Sequence, residues 1–492
     1  MTPSSGRAAV PVGRSAVLLD RVARLADDLR QAGDETLEPV LDAVAAALTE
    51  PLRVAVVGVV KAGKSTLVNA LIGRDVAPTA VGECTSMVTW YCFGEPSSLT
   101  VHLRDGHTLS RPLPGDRVPA DVGVPAEQVA RLEVRIKAPA LRQMTLIDTP
   151  GLSTLTRAND AATRLALLGD ASSRASTSEA DAVLFAFRDA ERESDIGFLR
   201  AFRDAGGGVG GVVNALGVLT QADLFGSGPW SGEDPFALAA AEARRLAERH
   251  PGELVDVVPV SGLLAQTAQT GALNEADARA LAALRELDPA LLQVWEQAGL
   301  PGTVRPAEVR RLFDLLGPYG VTAGRNHAGD GLAALWPWVA ATSGLSGVEA
   351  AIRDRLVQRS GVLKVARTMA RLEAATAPGR SAGDHGRARE LIEAARVDPV
   401  LHPLRELAML HQISREHPAS PLRSDLERLV SAADDRERVG LAPGVAGTEL
   451  AAAAQRLAGQ ARARAASPEH PGEADAARVL VRSYHLVAGR AR

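Results

Sequence analysis

Cysteine, lysine and aromatic side chains are all scarce in this chain, and each scarcity excludes something. Cys84 and Cys92 are the only cysteines in 492 residues, which rules out a disulfide framework or a metal-type cysteine spacing and points to a reducing compartment. Only Lys61, Lys64, Lys137 and Lys364 are lysines, so arginine supplies 51 of the 55 cationic side chains. The net charge of −4 excludes a nucleic-acid binder that works by bulk electrostatics, although Arg-rich helices would still offer a local basic face to anionic lipid. Aromatics at 3%, beside abundant alanine and arginine, read as genome composition rather than function. No run is apolar and long enough to span a bilayer. The longest uncharged stretch, Ala205 to Ala222, holds six glycines and an asparagine and reads as a turn-rich approach to a buried strand. The opening residues Met1-Thr-Pro-Ser-Ser-Gly-Arg-Ala lack a signal-peptide core, so the expectation is a cytoplasmic protein whose membrane contact is peripheral to the plasma membrane.

What is present is concentrated in one loop. Gly58-Val-Val-Lys-Ala-Gly63-Lys64-Ser65 matches GxxxxGK[ST], follows the apolar run 52–57 and precedes a helical stretch that stops at Gly73. Two of the four lysines sit here, where phosphate chemistry wants a compact ammonium. Backbone N–H groups of Gly58, Lys61, Ala62, Gly63, Lys64, Ser65 and Thr66 would cradle the phosphates, helped by the helix N-terminus. Lys64 would reach the β- and γ-phosphates and Ser65 would ligate Mg²⁺. The chain is therefore expected to bind a nucleoside triphosphate.

Three further motifs select the nucleotide. Met144-Thr-Leu-Ile-Asp148-Thr-Pro-Gly151 is an apolar strand ending in DxxG; in GTPases Asp148 would hold Mg²⁺ through water and the Gly151 N–H would sense the γ-phosphate. Gly217-Val-Leu-Thr-Gln221-Ala-Asp223 ends in the pattern [NT]KxD with Gln221 for lysine. Asp223 would accept hydrogen bonds from guanine N1 and N2, donors that adenine lacks, and leaving such a carboxylate unpaired costs about 1–3 kcal/mol. Val257-Val-Pro-Val-Ser261-Gly262 ends where a backbone N–H would meet guanine O6. Motifs closing successive strands describe a doubly wound sheet with its ligand at the C-terminal strand ends. GTP is expected over ATP, with GDP and Mg²⁺ as the companion ligands.

Asp148 lies 85 positions after Gly63 (148 − 63), more than a minimal GTPase needs, and the interval opens with Asp75-Val-Ala-Pro78-Thr-Ala-Val-Gly-Glu-Cys-Thr85-Ser-Met-Val-Thr89. This segment resembles dynamin-like proteins, where a proline-led switch ends in a threonine that clasps Mg²⁺ and the γ-phosphate. The resemblance gives that role to Thr85, with Thr79 and Ser86 as alternatives. Leu99 to Leu109 reads as a hairpin about Asp105-Gly106, and 181–199 resembles the strand and helix that follow DxxG in that superfamily. Val60 to Thr66, Val257 to Ala265 and the length are most similar to the isoniazid-inducible dynamin-like proteins of mycobacteria, the smaller in particular. The resemblance implies a dynamin-type G domain with a helical neck and trunk. It also implies Mg²⁺-dependent GTP hydrolysis, and self-assembly through paired G domains or with a paralogue. The implied setting is an anionic membrane, where such proteins remodel the membrane or protect the envelope under stress. Val60 stands where eukaryotic dynamins carry a glutamine that positions water. Lys61 either supplies a cation in cis to developing charge or contacts phosphate or a G-domain partner.

The remainder is helical. Val17, Leu18, Val22, Leu25 and Leu29, then Leu37, Val40, Leu41, Val44 and Leu48, repeat at helical spacing, and a long stripe runs from Leu345 to Leu372 with Gly361 marking a bend. Five more helices are expected between 387 and 488. The division is 1–50 for N-terminal neck helices, 51–330 for the GTPase domain and 331–492 for neck and trunk, the N-terminal helices packing on C-terminal ones. Gly331 to Leu345 is uncharged, carries Trp336 and Trp338, and is expected as a buried helix against the neck. A ribosome-assembly GTPase would want a basic RNA-binding module, which the sequence lacks. The alternative to a working GTPase is a poorly hydrolysing, GTP-binding regulatory partner of a larger dynamin-like protein.

Overall fold

A strand buried on both faces has to be apolar throughout, and Leu52–Gly58 (β1) is buried at all seven positions. It lies inside a nine-stranded sheet completed by Thr89–Phe93 (β2), Ser98–Leu103 (β3), Thr108–Pro112 (β4), Val129–Ile136 (β5), Met144–Asp148 (β6), Ala182–Phe187 (β7), Ala215–Thr220 (β8) and Asp256–Val260 (β9). The computed structural model describes residues 13–58, 61–77, 87–119, 121–149, 179–188, 214–226, 232–251, 253–295, 304–378 and 385–491. The strand order is β4-β3-β5-β2-β6-β1-β7-β8-β9. From β6 through β9 all pairs are parallel, whereas β2 runs antiparallel to β6. The order reverses at β1, which has β6 on one side and β7 on the other, so the crevice for a ligand opens at the end of β1. The expected hairpin is present as β3 and β4, turning at Asp105-Gly106; with β5 it extends the sheet beyond β2.

Alternate β1 residues face two cores. Leu52, Val54 and Val56 join one cluster; Ala55 and Val57 join another with Phe185, Phe187 and the buried face of helix Pro235–Arg249. The first cluster does not end at the sheet. It runs on without interruption into the helical region through Leu18, Val22, Leu25, Leu345, Leu356, Leu363 and Met369.

The helices are Arg14–Gln31 (α1), Glu38–Thr49 (α2), Lys64–Ile72 (α3), Pro235–Arg249 (α4), Gly262–Thr270 (α5), Glu275–Ala283 (α6), Pro306–Gly324 (α7), Leu332–Thr342 (α8), Leu345–Ala351 (α9), Ser360–Thr376 (α10), Gly386–Arg396 (α11), His402–Glu416 (α12), Leu422–Ser431 (α13), Gly447–Ala466 (α14) and Pro471–Arg490 (α15), with shorter helical turns between them. As expected, the N-terminal helices pack on later ones: α1 lies against α10 and α11, and α2 against α10. The break in the 345–372 stripe falls at a π-helical turn, Ile352–Val357, ahead of Gly361. Gly361 answers a different need, because a Cβ there would sit 2.6 Å from the Cβ of Ser15 where α1 crosses.

Helix α8 departs from expectation. It packs mainly on α5, α6 and α7, and to a lesser extent on the adjoining neck helix α9. Trp336 donates its indole N–H to the Ala268 carbonyl at 3.0 Å, and Trp338 stacks on His327 with centroids 4.9 Å apart. Gly324 makes the room, since a Cβ on it would meet the Trp338 ring at 2.9 Å. Those polar and shape constraints lie outside what a hydropathy stripe carries.

Candidate functional site

The phosphate loop is built on backbone geometry that few residues tolerate. Gly58 has φ 155°, and a Cβ on it would fall well inside contact distance of the Ala186 carbonyl oxygen, so only glycine lets β1 stay paired with β7 at this point. Lys61 (φ 66°) and Gly63 (φ 74°) are both left-handed, and a non-glycine residue in that region marks a backbone held by its surroundings. Ala62 is buried beneath them. Helix α3 starts at Lys64, directing its unpaired first-turn N–H groups to the loop, and stops at the left-handed Gly73.

Lys64 is itself buried, at 8% exposure, and donates to the Gly58 carbonyl at 3.1 Å. Burial lowers its pKa while Asp148 pulls the other way. Ser65 donates to Asp148 Oδ2 at 3.4 Å. Asp148 closes β6 and is held there because Thr149 binds the Val56 carbonyl through its hydroxyl at 2.9 Å. Burial pushes the Asp148 carboxyl up to about 6, against the opposing pull of Lys64 and Ser65. Its second oxygen, Oδ1, is buried and has no hydrogen-bond partner among the described residues. A buried carboxylate oxygen without a donor is costly unless something positive meets it. An oxygen of this kind beside a serine hydroxyl fits a hard divalent cation such as Mg²⁺, which takes few protein ligands and keeps its waters. No group of three or more His, Cys, Asp and Glu suited to a metal occurs among the described residues.

The second half of the site lies at the ends of β8 and β9. Asp223 is 5% exposed; burial raises its pKa, and the Ser261 hydroxyl bonded to it opposes that. Gln221, left-handed at φ 56°, donates to the Lys61 carbonyl at 3.4 Å, so the residue that replaces lysine still ties this loop to the phosphate loop. Thr220 donates to the Phe187 carbonyl at 3.0 Å and secures the end of β8. The Ser261 N–H is taken by the Ser343 carbonyl at 2.8 Å, whereas Gly262 opens α5, where helix geometry leaves its N–H without an intrahelical acceptor. A Cβ on Gly262 would meet Thr66 at 3.3 Å, so α5 and α3 pack closely under the two loops.

The structure thus gathers Gly58, Lys61 to Thr66, Asp148, Gln221, Asp223, Ser261 and Gly262 at one edge of the sheet. Thr85 and Gly151 lie outside the described residues, as do Val60, Thr79 and Ser86. Sequence reasoning missed Gly317, a left-handed break inside α7 whose Cβ position is 3.6 Å from Asp223 Oδ2; the Gly317-Pro318 pair was its visible signal. It also missed Asn69, fully buried in α3.

Residues 54–196 match the dynamin family. The chain is 34% identical to isoniazid-induced protein IniC of Mycobacterium tuberculosis strain H37Rv over 494 residues, covering 92% of this chain and 93% of IniC. The chain belongs to the dynamin family. Within it, the chain is a bacterial dynamin-like protein close to IniC. It is also 33% identical to isoniazid-induced protein IniA of the same organism over 133 residues, 25% of this chain and 21% of IniA. Dynamin-like protein 2 of Campylobacter jejuni matches at 30% over 117 residues, 24% of this chain and 19% of that protein. A solved structure of an oligomerised bacterial dynamin pair, described as sensing and tethering membranes, shares 12% identity at a TM-score of 0.34, over 95% of this chain and 85% of that one. A dynamin-type G domain implies guanine nucleotide binding. No helix of the described residues is long and apolar enough to cross a membrane.

Proposed function

We propose that this dynamin-family chain binds and hydrolyses GTP with Mg²⁺. Turnover then drives nucleotide-dependent self-assembly and membrane remodelling, or envelope protection under stress, at the inner face of the plasma membrane. The observation that carries the reading is the convergence, at one sheet edge, of a buried Lys64, the Ser65–Asp148 pair and the Asp223–Ser261 pair. When bound, Mg²⁺ supplies charge neutralisation at the transferred phosphoryl group. Ser65 and, through water, Asp148 would hold it; Thr85 would join them. Lys64 would neutralise the β- and γ-phosphate oxygens, Gly151 would report the γ-phosphate, and Lys61 is the chain's own further cation beside the site. Asp223 would accept from the guanine ring, with the Gly262 N–H on O6. The partners proposed are GTP, a second copy or a paralogous dynamin-like protein, and an anionic membrane, not nucleic acid. The proposed organisation is N-terminal neck helices to residue 50, a GTPase domain from 51, and neck and trunk from 331, with α8 siding with the GTPase domain.

The test is GTP and ATP binding with and without Mg²⁺, and turnover with and without anionic vesicles. Magnesium-dependent GTP affinity well above that for ATP is expected, and Asp223→Asn should erode the guanine preference at least tenfold. No affinity for GTP would remove the reading. Tight binding with negligible turnover in every arm would replace it with a GTP-binding regulatory partner of a larger dynamin-like protein.

A further inference from the structure

A proline inside a helix removes a backbone donor, so the helix breaks there and its surroundings must hold the break in place. Helix α7 breaks at Gly317-Pro318, with Gly317 at φ 67° and ψ 176°, a region that only glycine occupies without strain. The break is held from two sides. The Leu315 carbonyl, in the turn before it, accepts from the Thr267 hydroxyl of α5 at 2.6 Å. Gly320, in the turn after it, lies so close to α5 that a Cβ there would meet Leu264 Cδ2 at 2.8 Å. Between them Tyr319 packs its ring on Phe236 of α4, with centroids 5.4 Å apart.

This places Gly317 against the base-reading carboxylate. A Cβ on Gly317 would stand 3.6 Å from Asp223 Oδ2 and 3.3 Å from Leu263 Cδ2, between the carboxylate and the residue that follows Gly262. Asp223 is buried, so the room beside its oxygens is set by what packs on it. A carboxylate that reads guanine accepts from N1–H and from the 2-amino group. The amino group stands out from the ring and needs the more open side of the carboxylate.

We propose that Gly317 is a specificity-determining residue: by withholding a side chain beside Asp223 Oδ2, it leaves the place that the 2-amino group of guanine takes. This rests on the GTPase reading above, in which Asp223 pairs with the base. Hypoxanthine differs from guanine only in lacking that amino group. A site built to bond an N–H rejects the analogue without it, because its own acceptor is left unpaired.

The experiment titrates the full chain with GDP and with inosine diphosphate, both with Mg²⁺, in wild type, Gly317→Ala, Leu263→Phe and Gly331→Ala. Wild type should bind GDP about tenfold or more tightly than inosine diphosphate. Gly317→Ala should cut that preference to about threefold or less, the loss falling on GDP. Leu263→Phe narrows the same gap from a regular helical position, without backbone strain. It should lower the preference in the same direction, and it decides the matter if Gly317→Ala fails to fold. Gly331→Ala is the control for strain: Gly331 has φ 78° and ψ −166° at the start of α8, where a Cβ would meet the Glu275 carboxylate. It should keep the wild-type preference, and a fall matching that of Gly317→Ala would overturn the proposal. So would a preference left unchanged in Gly317→Ala, whether both affinities drop together or neither does. Wild type that binds the two nucleotides alike overturns it too, and leaves the GTPase reading standing. Wild type that binds neither defeats that reading, and this inference with it.

Discussion

At the scale of single residues, conformation decides as much as chemistry. Gly58 combines φ 155° with a carbonyl oxygen where its Cβ would stand. Gly58→Ala should therefore cost about 2–4 kcal/mol in urea unfolding and remove GDP binding, because β1 and β7 cannot both keep their places. His411 carries a different prediction. It is mostly buried, and burial together with the Arg359 guanidinium pushes its imidazole down to about 4. The group is neutral in the folded protein between pH 4 and 6.5, where the unfolded chain takes up a proton. Stability on its account is therefore full above about pH 6.5 and declines as the pH falls towards 4. Relative to His411→Gln, wild type should lose about 1–2 kcal/mol between pH 7.5 and pH 5, measured by denaturant melts at each pH. A constant difference across that range would contradict the assignment.

At the scale of elements, the join between sheet and helices carries a buried ion pair beside its shared apolar core. Asp181, just before β7, has a side chain only 4% exposed. It accepts from the Arg53 N–H at 2.9 Å and from Arg367 of α10 at 3.0 Å. Lys364, one turn earlier on α10, donates to the Glu50 carbonyl at the end of α2. Breaking a buried pair from one side leaves a charge without its partner, so Arg367→Ala should destabilise by about 3 kcal/mol. The double variant Arg367→Met with Asp181→Asn should recover much of that loss, and thermal melts of the two would show the contrast. This join was invisible in the sequence because its two charges are 186 positions apart. The strand ends were legible for the opposite reason. Lys64, Asp148 and Asp223 each close or follow a short apolar run, so local pattern alone assigned them to one edge. Asn69 failed that test: an asparagine in a helix reads as an ordinary polar residue, and residues 75–77, to which its side chain bonds, carry no periodic signal. Helix α8 was assigned to the neck because an uncharged run with two tryptophans shows only that it is to be buried, while the Ala268 carbonyl and Gly324 that receive them are silent in composition.

At the scale of the whole molecule, residues 13–50 and the helices beyond 345 share one core with a face of the sheet. Removing residues 1–49 would uncover Leu363, Val365, Met369 and Leu372 on α10 together with the start of β1. The truncated chain should be insoluble or open to proteolysis throughout its helical part; a soluble, protease-resistant product would refute a shared core. The same arrangement bears on how the protein is made. Leu29 and its core companion Leu363 are separated by 334 residues (363 − 29). At about 5–20 residues per second, translation leaves the sticky stripe of the first helix waiting for roughly 20–70 s. The nascent chain therefore has to shelter its earliest helix, on the ribosome or with a chaperone, until its last third emerges.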